Sequence, residues 1–192
     1  MTSDGWEYDL GGGMGILPRF DGEEAKKPKR QAVQQVPLEV VVQEAVKRLE
    51  LPRPVIRTSP EEDSAQIVQV PTWMWVERRS WEPVSVSVAV EGVTVTATAR
   101  PRSAVWSMGE GGEVVCQGPG TPYSDSYGAQ ESSPDCGYTY RRASSREGYP
   151  VAVRVSWDVH WQGGGRSGTV SDLASTAERR LRVDEVQAVV TR

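Results

Sequence analysis

Apolar residues recur along this chain with two different periods, and the change from one to the other divides the sequence. From Pro37 onward, Leu38, Val41, Val42, Ala45, Val46 and Leu49 fall at i, i+3, i+4, i+7, i+8 and i+11, which marks one face of an amphipathic helix. Pro37 suits a first turn, Glu39 and Glu44 lie toward the N-terminal half, and Lys47 and Arg48 lie toward the end, as the helix dipole favours. Pro52 stops the helix. Prolines at 52, 54 and 60 then predict an extended segment laid along a surface.

Beyond that segment the period becomes two. Strand patterns begin at Gln66 and run through Thr72-Trp73-Met74-Trp75-Val76, with Trp73 and Trp75 on one face. Val84, Val86, Val88 and Val90 alternate with small residues, Glu91-Gly92 turns the chain, and Val93, Val95, Ala97 and Ala99 alternate with Thr94, Thr96 and Thr98. A two-residue turn would pair Val90 with Val93, Val88 with Val95 and Val86 with Ala97; every pair is apolar, so pattern and register agree on a hairpin. Val151, Val153, Val155, Trp157, Val159 and Trp161 then occupy every second position, which predicts an antiparallel strand with one face in the core and one in water. After the glycine-rich turn at 163–168, Thr169-Val170-Ser171 returns alongside and Leu181-Arg182-Val183 forms the last strand, although Val183, Val186 and Val190 would also fit a helical face. About seven strands with no βαβ alternation predict an antiparallel β-sandwich preceded by a short amphipathic helix.

Composition sharpens the division. Residues 1–35 show neither period, so they read as a disordered stretch or linker, followed by the helix and extended segment at 36–62 and the sandwich domain at 63–192. Gly11-Gly12-Gly13-Met14-Gly15 is not followed by Gly-Lys-Ser/Thr and therefore reads as flexible linker rather than phosphate loop. The net charge of −4 gives phosphate no general attraction, so nucleic acid is not an expected partner. Lys26-Lys27-Pro28-Lys29-Arg30 follows Asp21, Glu23 and Glu24 and reads as solvated linker. No stretch approaches the ~18 consecutive apolar residues of a membrane-spanning helix. The first residues are acidic where a signal peptide is basic, and no apolar core follows them.

Candidate chemistry is sparse. Ser156, Asp158 and His160 supply the residue types of a hydrolytic triad, but as successive same-face residues of one strand they stand about 7 Å apart and do not converge. Glu110, Glu113, Asp125 and Asp135 match no calcium-loop spacing and read as turn residues. Seven Trp and six Tyr stand against one Phe, rings that suit half-buried sheet faces and interfaces. Trp106, Trp157 and Trp161 are expected in the core, while Trp73, Trp75, Trp81, Tyr123 and Tyr127 are candidates for a carbohydrate- or peptide-binding surface. No catalytic residue, metal site or cofactor is predicted.

Trp106-Ser107-Met108-Gly109-Glu110-Gly111, Tyr138-Thr139-Tyr140 and Gly148-Tyr149-Pro150-Val151-Ala152-Val153 together resemble the W-x-F-G-D-G … H-T-Y … G-x-Y-x-V-x-V pattern of polycystic-kidney-disease (PKD) repeats, an immunoglobulin-like β-sandwich family of extracellular proteins. The likeness spans roughly residues 84–161. Met108 stands where the pattern has an aromatic, Glu110 where it has aspartate, and Gly137 where histidine is common. Gly109 and Gly111 still permit the positive φ that the turn requires. Val70-Pro71-Thr72-Trp73-Met74-Trp75, the two cysteines and Gly118-Pro119-Gly120-Thr121-Pro122-Tyr123 are also similar to a group of actinobacterial proteins, usually secreted or anchored, some described as ATP/GTP-binding. The resemblance implies an immunoglobulin/PKD-like sandwich and structural roles for Trp106, Gly109, Glu110, Gly111, Tyr138, Tyr140 and Tyr149. With the even cysteine count and the proline- and glycine-rich stretch between them, it also implies a Cys116–Cys136 disulfide, set against free buried thiols or a metal pair.

The expected function is that of a non-catalytic structural or interaction module at the cell surface or outside the cell, with a protein or carbohydrate ligand. The alternatives are a nucleotide-binding protein and a hydrolase using Glu110 or His160. The cysteines and the resemblance favour export, whereas the N-terminal residues favour the cytoplasm.

Overall fold

The computed structural model describes residues 36–61 and 63–186; the glycine-rich stretch read above as a linker lies outside the described residues, as does the last part of the tail. The elements, in chain order, are helix α1 (Leu38–Lys47) and strands β1 (Ile56–Ser59), β2 (Gln66–Ile67), β3 (Pro71–Val76), β4 (Val84–Val90), β5 (Val93–Ser107), β6 (Glu113–Cys116), β7 (Gly137–Thr139), β8 (Tyr149–Gly163), β9 (Arg166–Leu181) and β10 (Val183–Asp184). A 3-10 turn at Arg78–Trp81 leads from β3 into β4. The chain is mainly β, with antiparallel sheets and a curled, half-barrel outline. The larger sheet has the order β4-β5-β8-β9, with β6 added to the far end of β5. The smaller one has the order β1-β3-β7, and β10 pairs in parallel with β2.

The described strands number ten where the periodicity predicts about seven. The additional ones are short, and tertiary pairing rather than pattern makes them. The proline-spaced segment contributes β1, which pairs antiparallel with β3. α1 ends at Lys47, before Pro52 is reached, and packs Val41, Val42 and Ala45 against β4 and β5.

The hairpin forms in the predicted register: Val90 faces Val93, Val88 faces Val95 and Val86 faces Ala97. Glu91 and Gly92 both take positive φ, +47° and +84°. Those angles suit a tight turn whose twist matches the flanking strands. On the water-facing side, Ser85 bonds Thr98 and Ser87 bonds Thr96, each at 2.8 Å.

The core is organised on β8. Val151, Val153, Val155, Trp157 and Val159 are all buried, so its alternation is unbroken for nine residues from Val151 to Val159. Neighbouring β5 buries Val95, Ala97 and Ala99, then switches parity to bury Ala104 and Trp106. The switch falls at a bulge between Pro101 and Ser103. An extra residue in one strand exchanges its two faces and bends the sheet. On the other side of β8, β9 shifts register opposite Trp157 and Val159, where Asp172 takes φ +70°. The two irregularities flank the same stretch of β8, and both bend the sheet there.

Trp157 lies at this bend, 1% exposed, with its Nε1 donating to Ser175 Oγ at 3.0 Å. Trp157→Ala is expected to cost ~3–5 kcal/mol of unfolding free energy. Trp81→Ala, at the half-exposed rim of the core, should cost clearly less in the same denaturant titration; equal losses would remove Trp157 as the pivot of the bend.

Candidate functional site

Strand β3 is the base of a surface built largely by the segment between the two cysteines. Its flank away from β1 is completed by two stretches of chain: β7 pairs along Pro71–Trp73 and the adjoining Cys136 carbonyl accepts from Met74 N at 3.0 Å, while the Pro119 carbonyl accepts from Val76 N at 2.7 Å. Both arms of the segment between the cysteines therefore run beside one strand. Cys116 and Cys136 form a disulfide, with Cα atoms 5.6 Å apart. Cys116 ends β6 of the larger sheet and Cys136 precedes β7 of the smaller one, so the bond ties the two sheets together. Gly120, at φ +89°, lies where a Cβ would strike the Met74 carbonyl and approach Trp75 Cα to 3.0 Å. Only glycine lets the loop come this close to β3.

Trp73 is the peg around which the loop closes. It is 2% exposed, its Nε1 donates to the Glu131 carbonyl at 2.7 Å, and Tyr123 and Tyr127 pack on its ring at centroid distances of 5.3 and 4.5 Å. Trp73 is thus removed from the candidate surface by burial. Tyr123 and Tyr127 are half-buried against that ring, with Tyr123 donating to the Tyr127 carbonyl at 3.2 Å. Asp135 accepts from Thr121 N and Thr121 Oγ1 at 3.0 Å each, and Glu131 accepts from Gly128 N at 3.1 Å. Trp75 lies elsewhere, half-buried in a shallow concavity with Pro122 and Arg57; Trp81 packs against the core. Glu77, in the same concavity, is held below the usual carboxylate range by hydrogen bonds from Arg79 and then Arg57.

The turn after Trp106 is a clamp. Trp106 and Met108 are fully buried, and Met108 N donates to the Gly112 carbonyl at 2.9 Å. Gly109, at φ +76°, sits against Tyr149, where an added Cβ would come within 2.7 Å of that residue's own Cβ. The Glu110 carboxylate accepts from Tyr138 Oη at 2.7 Å and from Arg141 N at 3.2 Å, while its carbonyl accepts from the Arg142 guanidinium at 3.2 Å. Gly111 takes φ +103° with open space where a side chain would be, and Gly112 lies under the Tyr138 ring. Tyr140 stacks on Tyr149 at 5.4 Å and meets Tyr138 edge-on at 5.0 Å. Burial first, then the hydrogen bond to Glu110 and its negative charge, push the Tyr138 hydroxyl up to about 12; burial likewise raises Tyr140. Among the described residues, Trp106 Nε1 and Tyr140 Oη find no hydrogen-bond partner.

Between the clamp and the cystine lies an open groove of about 1130 Å³. Glu110, Gly111, Cys136 and Tyr138 line it, together with Gln69, Arg141 and Arg142. These last three escaped the sequence reading. An Arg-Arg pair just after Tyr138-Thr139-Tyr140 was the available signal, whereas the φ of +66° at Gln69 left no trace in the sequence. His160 is remote from the groove, in a water-facing row with Thr98 and Thr169, and Asp158 stands 3.4 Å from Arg102. Among the described residues, no group of three or more His, Cys, Asp or Glu could hold a metal ion. No described helix is long and apolar enough to cross a membrane. The groove offers guanidinium groups, a phenol, hydroxyls and the carboxylates of Glu110 and Asp135.

The chain matches no family model, no curated protein and no solved structure.

Replacing both cysteines by Ser is expected to lower stability by about 3 kcal/mol through the unfolded state. Limited proteolysis should then cut between residues 117 and 135; an unchanged digestion pattern would show that Trp73 alone holds the loop. For Tyr138, the folded value near 12 lies above the ordinary 10.0. Its contribution to stability is therefore complete below pH ~10 and is lost as pH rises toward 12. Tyr138→Phe should flatten that alkaline loss in urea titrations across the window; an unaltered slope would assign the loss to other tyrosines.

Proposed function

We propose that this chain is a non-catalytic module acting outside the cytoplasm, an immunoglobulin/PKD-like β-sandwich that presents a cystine-clamped loop and its adjoining groove to a protein or cell-surface ligand. The observation that carries this reading is the internal engagement of Glu110. A carboxylate that accepts from a tyrosine hydroxyl and a backbone amide at a turn is spent on holding that turn, which supports a structural rather than a catalytic role for it. Asp135 and Glu131 are engaged in the same way within the loop. The cystine supports a place outside the cytoplasm, since such bonds persist in oxidising surroundings. The hydroxyl- and arginine-lined groove adds the interaction role.

Thiol titration of the unfolded, unreduced protein is expected to find no free SH, and calorimetric titration with ATP and GTP at millimolar concentration is expected to give no saturable heat. Two free thiols in carefully isolated protein would remove the extracytoplasmic placement. Saturable heat from either nucleotide would replace the interaction module with a nucleotide binder.

A further inference from the structure

We infer that the groove between the Glu110 turn and the cystine receives an extended, carboxylate-bearing polypeptide segment, which adds to the free edge of β7 and places its acidic side chains on Arg141 and Arg142. The inference rests on the interaction role proposed above and assigns that role a place and a partner chemistry.

The first support is an open strand edge. β7 is the outer strand of its sheet, and all its residues, Gly137 to Thr139, line the groove. The carbonyls of Cys136 and Tyr140 turn the other way, accepting from Met74 N of β3 and from Gln69 N just before it. Alternation along an antiparallel strand then directs the main-chain groups of Gly137 and Thr139 to the opposite side, into the groove. An exposed edge of this kind pairs with extended chains. Pro71 stands opposite Thr139 in the register, so its missing N–H costs the β3–β7 ladder nothing on that side.

The second support is the hydrogen-bonding capacity left open in the groove. Glu110 is bound to Tyr138 and Arg141 N, and Asp135 to Thr121 and Ser133. The Arg142 guanidinium makes one hydrogen bond, to the Glu110 carbonyl, and the exposed Arg141 guanidinium makes none among the described residues. Glu110 and Asp135 keep their charge and equal the two arginines in number, but their oxygens already accept hydrogen bonds, so the donors still open at this end of the groove belong to the Arg141 and Arg142 guanidinium groups. A guanidinium holds a carboxylate through parallel N–H bonds, which fixes register as well as charge. Both arginines follow β7 after Tyr140, at the end where a strand laid antiparallel to it would begin. Gly111 opposite leaves open space above the turn for the added chain.

The test uses the whole chain and an acetylated, amidated octapeptide of alternating Glu and Val, with a Lys-Val octapeptide of the same length as control. Isothermal titration should show saturable binding of the Glu-Val peptide and none of the Lys-Val peptide. Arg141→Glu with Arg142→Glu should weaken binding on the order of tenfold or more, with Arg141→Gln intermediate. N-methylation of alternate backbone amides in the peptide should abolish binding in one phase and spare it in the other. No saturable binding, equal binding of the two peptides, or indifference to the arginine variants would each overturn the inference. Binding that needs the arginines but ignores N-methylation in both phases would also overturn it, because anion capture without strand addition is what an acidic glycan would show. Any of these failures leaves the proposed function standing, since that reading falls to free thiols or to nucleotide binding instead.

Discussion

The unbroken burial of alternate residues along β8 is the constraint on which the rest of the architecture depends. A strand that keeps one parity over its whole buried length cannot bend by itself, so its neighbours supply the bend. β5 does so at Pro101–Ser103 and β9 around Asp172. The parity change in β5 is what turns Trp106 inward, because without the extra residue Val105 would take its place. From the inward position of Trp106 follow the buried Met108, the glycine-rich turn and the placement of Glu110 against Tyr138. The groove thus inherits its geometry from a one-residue insertion in the middle of the larger sheet.

The loop between the cysteines lacks the apolar residues for a core and borrows one. Trp73, projecting from β3, supplies the surface on which Tyr123 and Tyr127 pack, and the carbonyls of Pro119 and Cys136 complete the hydrogen bonding of the same strand. The exchange works in both directions, since the loop satisfies β3 donors that would otherwise lie along an exposed edge. Sheet and loop are accordingly one packing unit although they are distant in sequence.

The parts legible in the sequence are those where a single period governs: the helix, the β4–β5 hairpin with its register, and β8. Their apolar residues repeat with enough regularity that local pattern and tertiary burial coincide. The pairing of β1 with β3 was hidden because prolines at 52, 54 and 60 describe an extended chain without naming its neighbour. The burial of Trp73 was hidden for a different reason. Trp73 and Trp75 share a parity, but Trp73 is covered by a loop dozens of residues downstream, a contact to which local periodicity is blind. For the site, the Trp106–Gly111 and Tyr138–Tyr140 segments were visible as motifs, whereas the groove they border depends on the cystine and on Arg141 and Arg142 lying across from Gly111.

The anchoring of the loop has a consequence for how this surface can change. Its fixed points are Cys116, Pro119, Gly120 and Cys136, all at the ends, and the ring of Trp73 beneath the middle. Exposed residues such as Asp125, Ser126, Ala129 and Gln130 are absent from that set. The tip can therefore vary in sequence while the stem keeps its geometry, the division of labour that lets a hypervariable segment diversify on a constant scaffold.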